Sequence, residues 1–280
     1  IKMKKSIILL TLLFITSFAI DQKKEKVKGS KIVTTEIKKI EDFTSLEVLD
    51  NVEVFLTKGT ECGLEIEADD NLHEAIDIVL NGSTLRIATL KNAFGFKKLS
   101  IRITYKDDFK SVIVRNDATI TALSEIELDA ITFKTYDSSK LFVNSKSTEF
   151  TLIMDDKSKA ELNSKADKTT ITLSKTAKLK ALLTSKDLTF DMYQKSESEI
   201  EGDVQNLKLR LDNNAKFTGK KLTSRNAEVI SEAYTNASLN VSENLILEAS
   251  GKSEIEVYGD QKIDLKRFVD NAVLMKKPTK

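Results

Sequence analysis

Few residues in this sequence are equipped for bond-making chemistry. His73 is the one histidine, so a Ser-His-Asp relay or a multi-histidine metal site has a single candidate to draw on. It lies in Asp70-Asn71-Leu72-His73-Glu74-Ala75-Ile76, which reads as a short helical turn capped by Asn71, with Leu72, Ala75 and Ile76 on one face. A lone histidine on such a turn reads as structural or simply exposed. Cys62 is the one cysteine; it sits between Glu61 and Gly63 with nothing nearby in sequence to stabilise a thiolate, and reads as an inert thiol. Adjacent carboxylates occur at Asp69-Asp70, Asp107-Asp108 and Asp155-Asp156. Paired acids are what sugar hydrolysis or calcium binding would use. Each pair falls in a predicted turn, however, and lysines interleave the acids, so solvated turn residues are expected. With no Walker loop or GxGxxG either, the expectation is no catalytic set, no metal site, no cofactor and no enzyme.

Aromatic side chains are the remaining route to a binding surface. Trp is absent, but Tyr136, Tyr193 and Tyr234 recur just before predicted turns. They could form an outward ladder able to contact a glycan, or pack against neighbouring repeats, where tyrosine buries a large area. They are the candidate surface-binding residues.

The elements that must carry these residues follow from alternation. At 280 residues, 40% hydrophobic and 31% charged, the chain has the composition of an ordinary globular protein with length to spare for a core. Net charge is +1 and is spread as alternating Lys and Glu, unlike the basic footprint of a nucleic-acid binder. From Ile32 apolar and polar residues alternate with the period of half-buried strands, as in Phe43-Thr-Ser-Leu46-Glu-Val48 and Leu64-Glu-Ile66-Glu-Ala68. Asn81-Gly82 is a strong hairpin signal.

From residue 111 the alternation becomes a repeat. Small turn residues recur at Ala118, Ser139, Ser158, Ala177, Ser198, Ala215, Ala237, Ser253 and Ala272, a spacing of roughly 19 residues, in the range of parallel β-solenoids. An apolar residue follows most of these anchors by two, and apolar pairs such as Val112 and Val114 or Leu207 and Leu209 precede them. One coil has too little apolar surface to fold alone, and stacking buries the faces as a continuous core. Hairpin dipeptides are nearly absent after residue 82, which disfavours an antiparallel sandwich. The expected fold is all-β, a right-handed parallel β-helix.

The N-terminus reads as an export signal. Lys4 and Lys5 precede the apolar run Ile7–Ile15, and a charged stretch begins at Asp21. Residues 1–20 are expected to be a signal peptide, cleavable after Ala19 or retained as an anchor. Residues 21–31 are then a flexible charged spacer, 32–275 a single β-helical domain (a β-rich part over 32–110, regular coils over 111–275) and 276–280 a tail. Localisation is expected outside the cytoplasm, in the periplasm, on the outer-membrane surface or extracellular, with membrane contact only through the signal segment.

The series Phe43-x-x-Leu46-x-Val48, Val52-x-Val54-x-Leu56-x-x-Gly59, Leu64-x-Ile66-x-Ala68-x-x-Asn71-Leu72, Gly82-x-x-Leu85-x-Ile87 and Leu99-x-Ile101-x-Ile103, running into the Ala118 repeat, resembles the head GIN domain family of auto-transporter adhesin-type envelope proteins of Bacteroidota. The resemblance covers most of the chain after the leader. It implies an exported β-helical protein with an adhesive or surface-binding role and no catalytic residues to transfer. The partners it implies are a surface glycan or an envelope protein. A carbohydrate-active β-helical enzyme and a purely structural envelope spacer are the alternatives. A cleft with three or more acids on one face of successive coils would favour the enzyme.

Overall fold

The structure is a computed structural model that describes residues 24–278; the expected signal peptide lies outside them. The chain is nearly all β, 67% strand and 2% helix, and forms a β-solenoid of about nine coils of roughly 19 residues.

The N-terminal part contains β1 (Lys26–Lys28), β2 (Val33–Lys38), β3 (Ser45–Val48), β4 (Glu53–Lys58), β5 (Gly63–Asp69), a 3-10 turn (Asp70–Ala75), β6 (Ile76–Asn81), β7 (Thr84–Thr89), β8 (Asn92–Phe94) and β9 (Leu99–Tyr105). β6 and β7 form the hairpin signalled by Asn81-Gly82, with Gly82 at φ 60°. β3 and β4 make one coil, stacked in parallel on β7 and β9, which make the coil beneath it. Beyond that coil the pairing turns antiparallel, β9 to β5 and β5 to β2. These strands close the N-terminal end of the solenoid.

Regular coils occupy the rest: β10 (Ser111–Val114), β11 (Thr119–Ala122), β12 (Ile126–Thr135), β13 (Lys140–Met154), β14 (Lys159–Leu173), β15 (Lys178–Met192), β16 (Glu197–Leu211), β17 (Lys216–Ser231), β18 (Asn236–Ala249), β19 (Glu254–Tyr258), β20 (Lys262–Phe268) and β21 (Val273–Lys276). β10 and β11 pair with β3 and β4 on the face opposite β7 and β9. The coil Ser45–Lys58 is thus sandwiched between later segments of chain. From β13 to β19 each strand pairs in parallel with the next, after which β20 stacks on β18 and β21 on β19.

Each long strand is bent into two arms. In β14, Ala160, Leu162 and Ser164 are buried on the first arm, and Thr169, Ile171 and Leu173 on the second. The inward parity therefore changes between the arms. At the bend Asp167 drops out of the ladder, where pairing passes from Ala166–Ser185 to Lys168–Asp187. Beside it runs an amide ladder. Asn206 Nδ2 donates to Asp187 Oδ1 at 2.9 Å, Asn226 to Asn206 at 3.2 Å and Asn244 to Asn226 at 2.8 Å.

The second corner is tighter and uses positive φ. Asp50, Asn116, Asp137, Asp156, Lys175, Gln194, Asn213, Ala233 and Asp270 lie between 56° and 66°, and Gly251 at 72°. Such a conformation costs an ordinary side chain about 1–2 kcal/mol, and Asn and Asp tolerate it best. It is held by hydrogen bonds along the stack. The Lys157 N–H donates to the Asp137 carbonyl at 2.7 Å, Thr176 to Asp156 at 2.9 Å and Lys252 to Ala233 at 2.7 Å. Where the residue is Asp, its carboxylate also accepts the N–H of the residue beneath, as Asp137 does from Asn116 at 3.0 Å.

Two residues past the positive-φ positions from Asn116 to Gly251, the chain points a small side chain into the core. Ala118, Ser139, Ser158, Ala177 and Ala215 are wholly buried there. The structure corrects two expected anchors: the corner residues of their coils are Ser196 and Thr235, not Ser198 and Ala237. All four point inward, so alternation alone does not separate them. Ser198 and Ala237 instead sit above and below Phe217 in the ladder, leaving room for its ring, which meets Phe190 edge-on at 5.5 Å. Gly219 completes that space, since a Cβ there would lie 2.3 Å from the Phe217 ring.

Asp69 ties the N-terminal end together, which corrects the expectation of a solvated turn acid. It is fully buried and accepts backbone N–H groups from Lys31 (2.7 Å), Lys97 (3.0 Å) and Lys98 (3.0 Å). Burial alone would raise its pKa, but these donors hold it below the usual carboxylate range. Asn71 is not the helix cap; its side chain accepts from Ser30 N–H at 2.9 Å and donates to the Lys28 carbonyl at 2.8 Å. The charged stretch expected to be a flexible spacer contains β1, which pairs in parallel with β8. Its apolar signal is one residue, Val27, too little to register as a strand in sequence.

Leu209 is an inward position at 2% exposure, and Leu209→Ala is expected to destabilise by about 2–5 kcal/mol in denaturant unfolding. Ser158→Ala should leave stability unchanged or slightly raised, because the buried hydroxyl has no hydrogen-bond partner and Ala already serves at Ala177. For Asp69, the folded pKa lies below the unfolded value, so its contribution is present above the unfolded pKa and lost as pH falls through the folded one. Asp69→Asn should lower stability at pH 7 and flatten its dependence between about pH 3 and 5, measured by chemical denaturation across that range.

Candidate binding groove on the outer face

The residues that alternate outward on the first arms of the coils are mostly Lys, Glu, Thr and Asn. One region departs from that rule. In one row, successive coils align Phe55, Thr121, Phe142, Glu161, Lys180 and Glu199. Two residues further along each strand, Asn144, Asn163, Leu182 and Glu201 align. Between Thr121 and Glu201 the rows line an open groove of about 650 Å³. Four rung steps of ~4.8 Å make it roughly 19 Å long.

Two of its outward positions carry apolar side chains where a solvent-facing strand would ordinarily be polar. Phe142 is 38% exposed and Leu182 49%, and Leu123 at the N-terminal margin is 52% exposed. Asn144 and Asn163 set amides beside them. Charge gathers at the far end, where Lys180 stands between Glu161 and Glu199. Glu201 is engaged by Lys221 at 2.6 Å, and that contact raises the lysine's pKa. Two separated apolar contacts flanked by amides and mixed charges suit a ligand held by one face along its length.

A second depression of about 670 Å³ follows the bend of the coils. Its charges are largely matched from coil to coil. Lys186 meets Asp167 at 2.9 Å and Arg225 meets Glu243 at 2.7 Å. It is therefore the weaker candidate.

The residues singled out from sequence lie elsewhere. Tyr136 and Tyr193 occupy the same corner position, immediately before Asp137 and Gln194, but Asp155 and Ser174 hold that position in the coils between them. They are about 14 Å apart along the stack. Tyr234 follows the positive-φ residue Ala233 and so sits on a different row. The three do not form a ladder. The Arg115 guanidinium lies 4.2 Å from the Tyr136 ring centre and Lys252 Nζ 5.4 Å from that of Tyr234. His73 braces the N-terminal end, with Nε2 2.9 Å from Thr34 Oγ1 and Nδ1 3.3 Å from a Glu36 oxygen. Burial pushes the Cys62 thiol up, and the neighbouring Asp42 adds to that, the wrong direction for a nucleophile.

The carboxylate pairs are also placed. Asp155 accepts from its neighbour's N–H at 2.8 Å and from Ser174 Oγ at 2.8 Å, and pairs with Lys175 at 3.1 Å. Asp107 pairs with Lys58 at 2.6 Å. Among the described residues no three His, Cys, Asp or Glu side chains converge to hold a metal ion. Asp191 is a carboxyl that burial pushes up, against an opposing pull from Arg210. It stands on the second arm of β15, away from the groove. The groove itself was missed from sequence. Phe142 and Leu182 are outward by parity, a signal available once the register of β13 to β15 is known.

Solved structures that share the fold include three from Parabacteroides. A putative adhesin from Parabacteroides distasonis has a TM-score of 0.67 at 16% identity, covering 90% of this chain and 100% of that one. A putative adhesin from Parabacteroides merdae has a TM-score of 0.62 at 15% identity, covering 91% and 98%. A putative lipid binding protein from Parabacteroides distasonis has 0.62 at 14%, also covering 91% and 98%. No curated protein matches the chain. The family described as "Putative auto-transporter adhesin, head GIN domain" matches over residues 42–183 and 167–260, which together take in most of the sequence, and the chain belongs to that family.

Proposed function

We propose that this protein is an exported, non-catalytic binding module that holds an extended surface glycan in the groove lined by Phe142 and Leu182. The observation that carries the reading is the exposure of those two side chains on outward strand positions, flanked by the amides of Asn144 and Asn163. Glycan rings stack on apolar side chains while amides satisfy their hydroxyls, and a straight solenoid face matches an extended polymer. Membership of an adhesin-type family suggests a cell-surface or envelope protein, and the leader with Lys4, Lys5 and Ile7–Ile15 supports export.

Catalysis is the competing reading, because Glu161, Glu199 and Glu201 share the groove. What favours binding is that Lys180 separates the first from the second and Lys221 engages the third. Two carboxylates working as acid and base need an uninterrupted space for substrate and water between them.

The purified protein is expected to bind a subset of a glycan array. Phe142→Ala with Leu182→Ala should weaken that binding about tenfold or more, while thermal stability changes little because both side chains face outward. Binding confined to surface proteins, or unaltered glycan binding in the double variant, would contradict the assignment. Reproducible cleavage in a polysaccharide digestion screen would replace it with the catalytic one.

A further inference from the structure

Lysine and glutamate alternate along the sequence, but across the coils they sort into bands. Lys140, Lys159 and Lys178 open the first arms of β13, β14 and β15 and align on successive rungs. Further along the same arms, Lys146 aligns with Lys165. With Lys180, the outward positions of these three arms hold six lysines against one acid, Glu161. Among the described residues, Lys178 alone of the six has an ion-pair partner, Glu197 at 2.9 Å. The band has sharp limits. Glu127 lies opposite Lys146 on β12, and every outward residue on the first arm of β16 is acidic: Glu197, Glu199, Glu201 and Asp203. Like charges directly opposite on neighbouring strands destabilise a sheet. The coil does not require them, since Thr119 and Asn236 fill the first column elsewhere and Thr184 fills the second. The lysine columns thus carry a self-repulsion that an anion laid across them would relieve.

We infer that these columns bind an acidic glycan, one bearing carboxylate or sulfate groups, that lies along the groove between them; the inference rests on the glycan reading above. The columns stand about 20 Å apart along the strands. Phe142, Asn144, Asn163 and Leu182 lie between them, so sugar rings contact the groove while charged groups meet lysines on either side. Each ammonium is a compact charge on a flexible stem with three rotatable donors, suited to anionic groups whose spacing varies along a polymer. Rungs of ~4.8 Å repeat the same charge along the stack. The acidic arm of β16 repels such a chain and sets the end of its footprint just beyond Leu182. An anionic membrane fits less well, because a flat layer of headgroups would meet the lysines but not the contacts within the groove.

The experiment measures binding of the full chain to polygalacturonate, alginate and chondroitin sulfate, each beside its uncharged counterpart made by carboxyl reduction or desulfation. At least one acidic chain is expected to bind about tenfold or more tightly than its counterpart, with affinity falling as salt rises. Lys140→Gln with Lys159→Gln, and separately Lys146→Gln with Lys165→Gln, should each weaken that binding about tenfold. Both pairs relieve repulsion, so thermal stability should hold or rise. Lys134→Gln with Lys208→Gln, on the other arm of the coils, should leave binding unchanged. Glu199→Lys extends the band by one rung and should tighten binding about threefold or more. Equal binding of charged and uncharged chains would overturn the acidic assignment and leave the glycan reading standing. An acidic chain that needs the lysines but ignores Phe142→Ala with Leu182→Ala would overturn the groove reading instead. Binding to none of these chains, equal loss in the Lys134 and Lys208 variant, or a preference for vesicles of anionic phospholipid would overturn the inference.

Discussion

The molecule depends on a corner that L-amino acids adopt reluctantly. In each coil one residue sits at positive φ, and at Asn116, Asp137, Asp156, Gln194, Asn213, Ala233 and Gly251 the carbonyl it turns outward accepts an N–H from the coil above. The hydrogen bond, not the side chain, is what makes the corner repeat. This is why Asp, Asn, Gln and Ala can all occupy the position. Two residues after the corner the rungs come close, and from Asn116 onward Ala, Ser or Thr is the side chain that fits. Everything downstream, the inward parity of each arm and the outward rows on each face, is set by where that corner falls.

That geometry separates the inside from the outside unusually cleanly. Inward positions form columns, where a large ring such as Phe217 is accommodated by small neighbours above and below and by Gly219 alongside. Outward positions also form columns, where axial pairs such as Lys178–Glu197 at 2.9 Å and Lys221–Glu201 at 2.6 Å match coil to coil. Such exposed pairs are screened by solvent and contribute little to stability, so their main effect is to favour the correct stacking over a slipped one. Against that background Phe142 and Leu182 stand out. Nothing in the coil requires an apolar residue there, and a face of this kind is the place where a solenoid can carry a function without disturbing its core.

Much of this was legible in sequence, and the limits have physical causes. Period-two alternation revealed the strands, Asn81-Gly82 the hairpin, and the spacing of small residues the stacking. Ser198 and Ala237 were mistaken for corner residues because they share parity with Ser196 and Thr235, and only the hydrogen bonds of the turn tell them apart. The tyrosines could not be read as a ladder or otherwise without the coil register, which puts Asp155 and Ser174 between two of them. Asp69 looked like any turn acid; its burial follows from three segments far apart in sequence converging on it. The groove is a property of neighbouring coils, so no single stretch of sequence displays it. The family relationship was legible from the Phe43 to Ile103 pattern, because that pattern is the core of the N-terminal coils.

The order in which the N-terminal coils are stacked sets the order in which they can form. The coil Ser45–Lys58 lies between strands that come later in the chain, and its partner Leu85 is 39 residues from Leu46, about twice the span separating neighbours in the regular coils. Closing that first contact orders a long stretch of chain before any template exists, whereas each later coil adds only one short loop to an existing template. Assembly should thus begin with a slow nucleus near the N-terminus and continue as rapid, one-way growth. A chain emerging from a ribosome or a translocation pore in that direction presents its slowest segment first, and every coil that follows finds its template already in place.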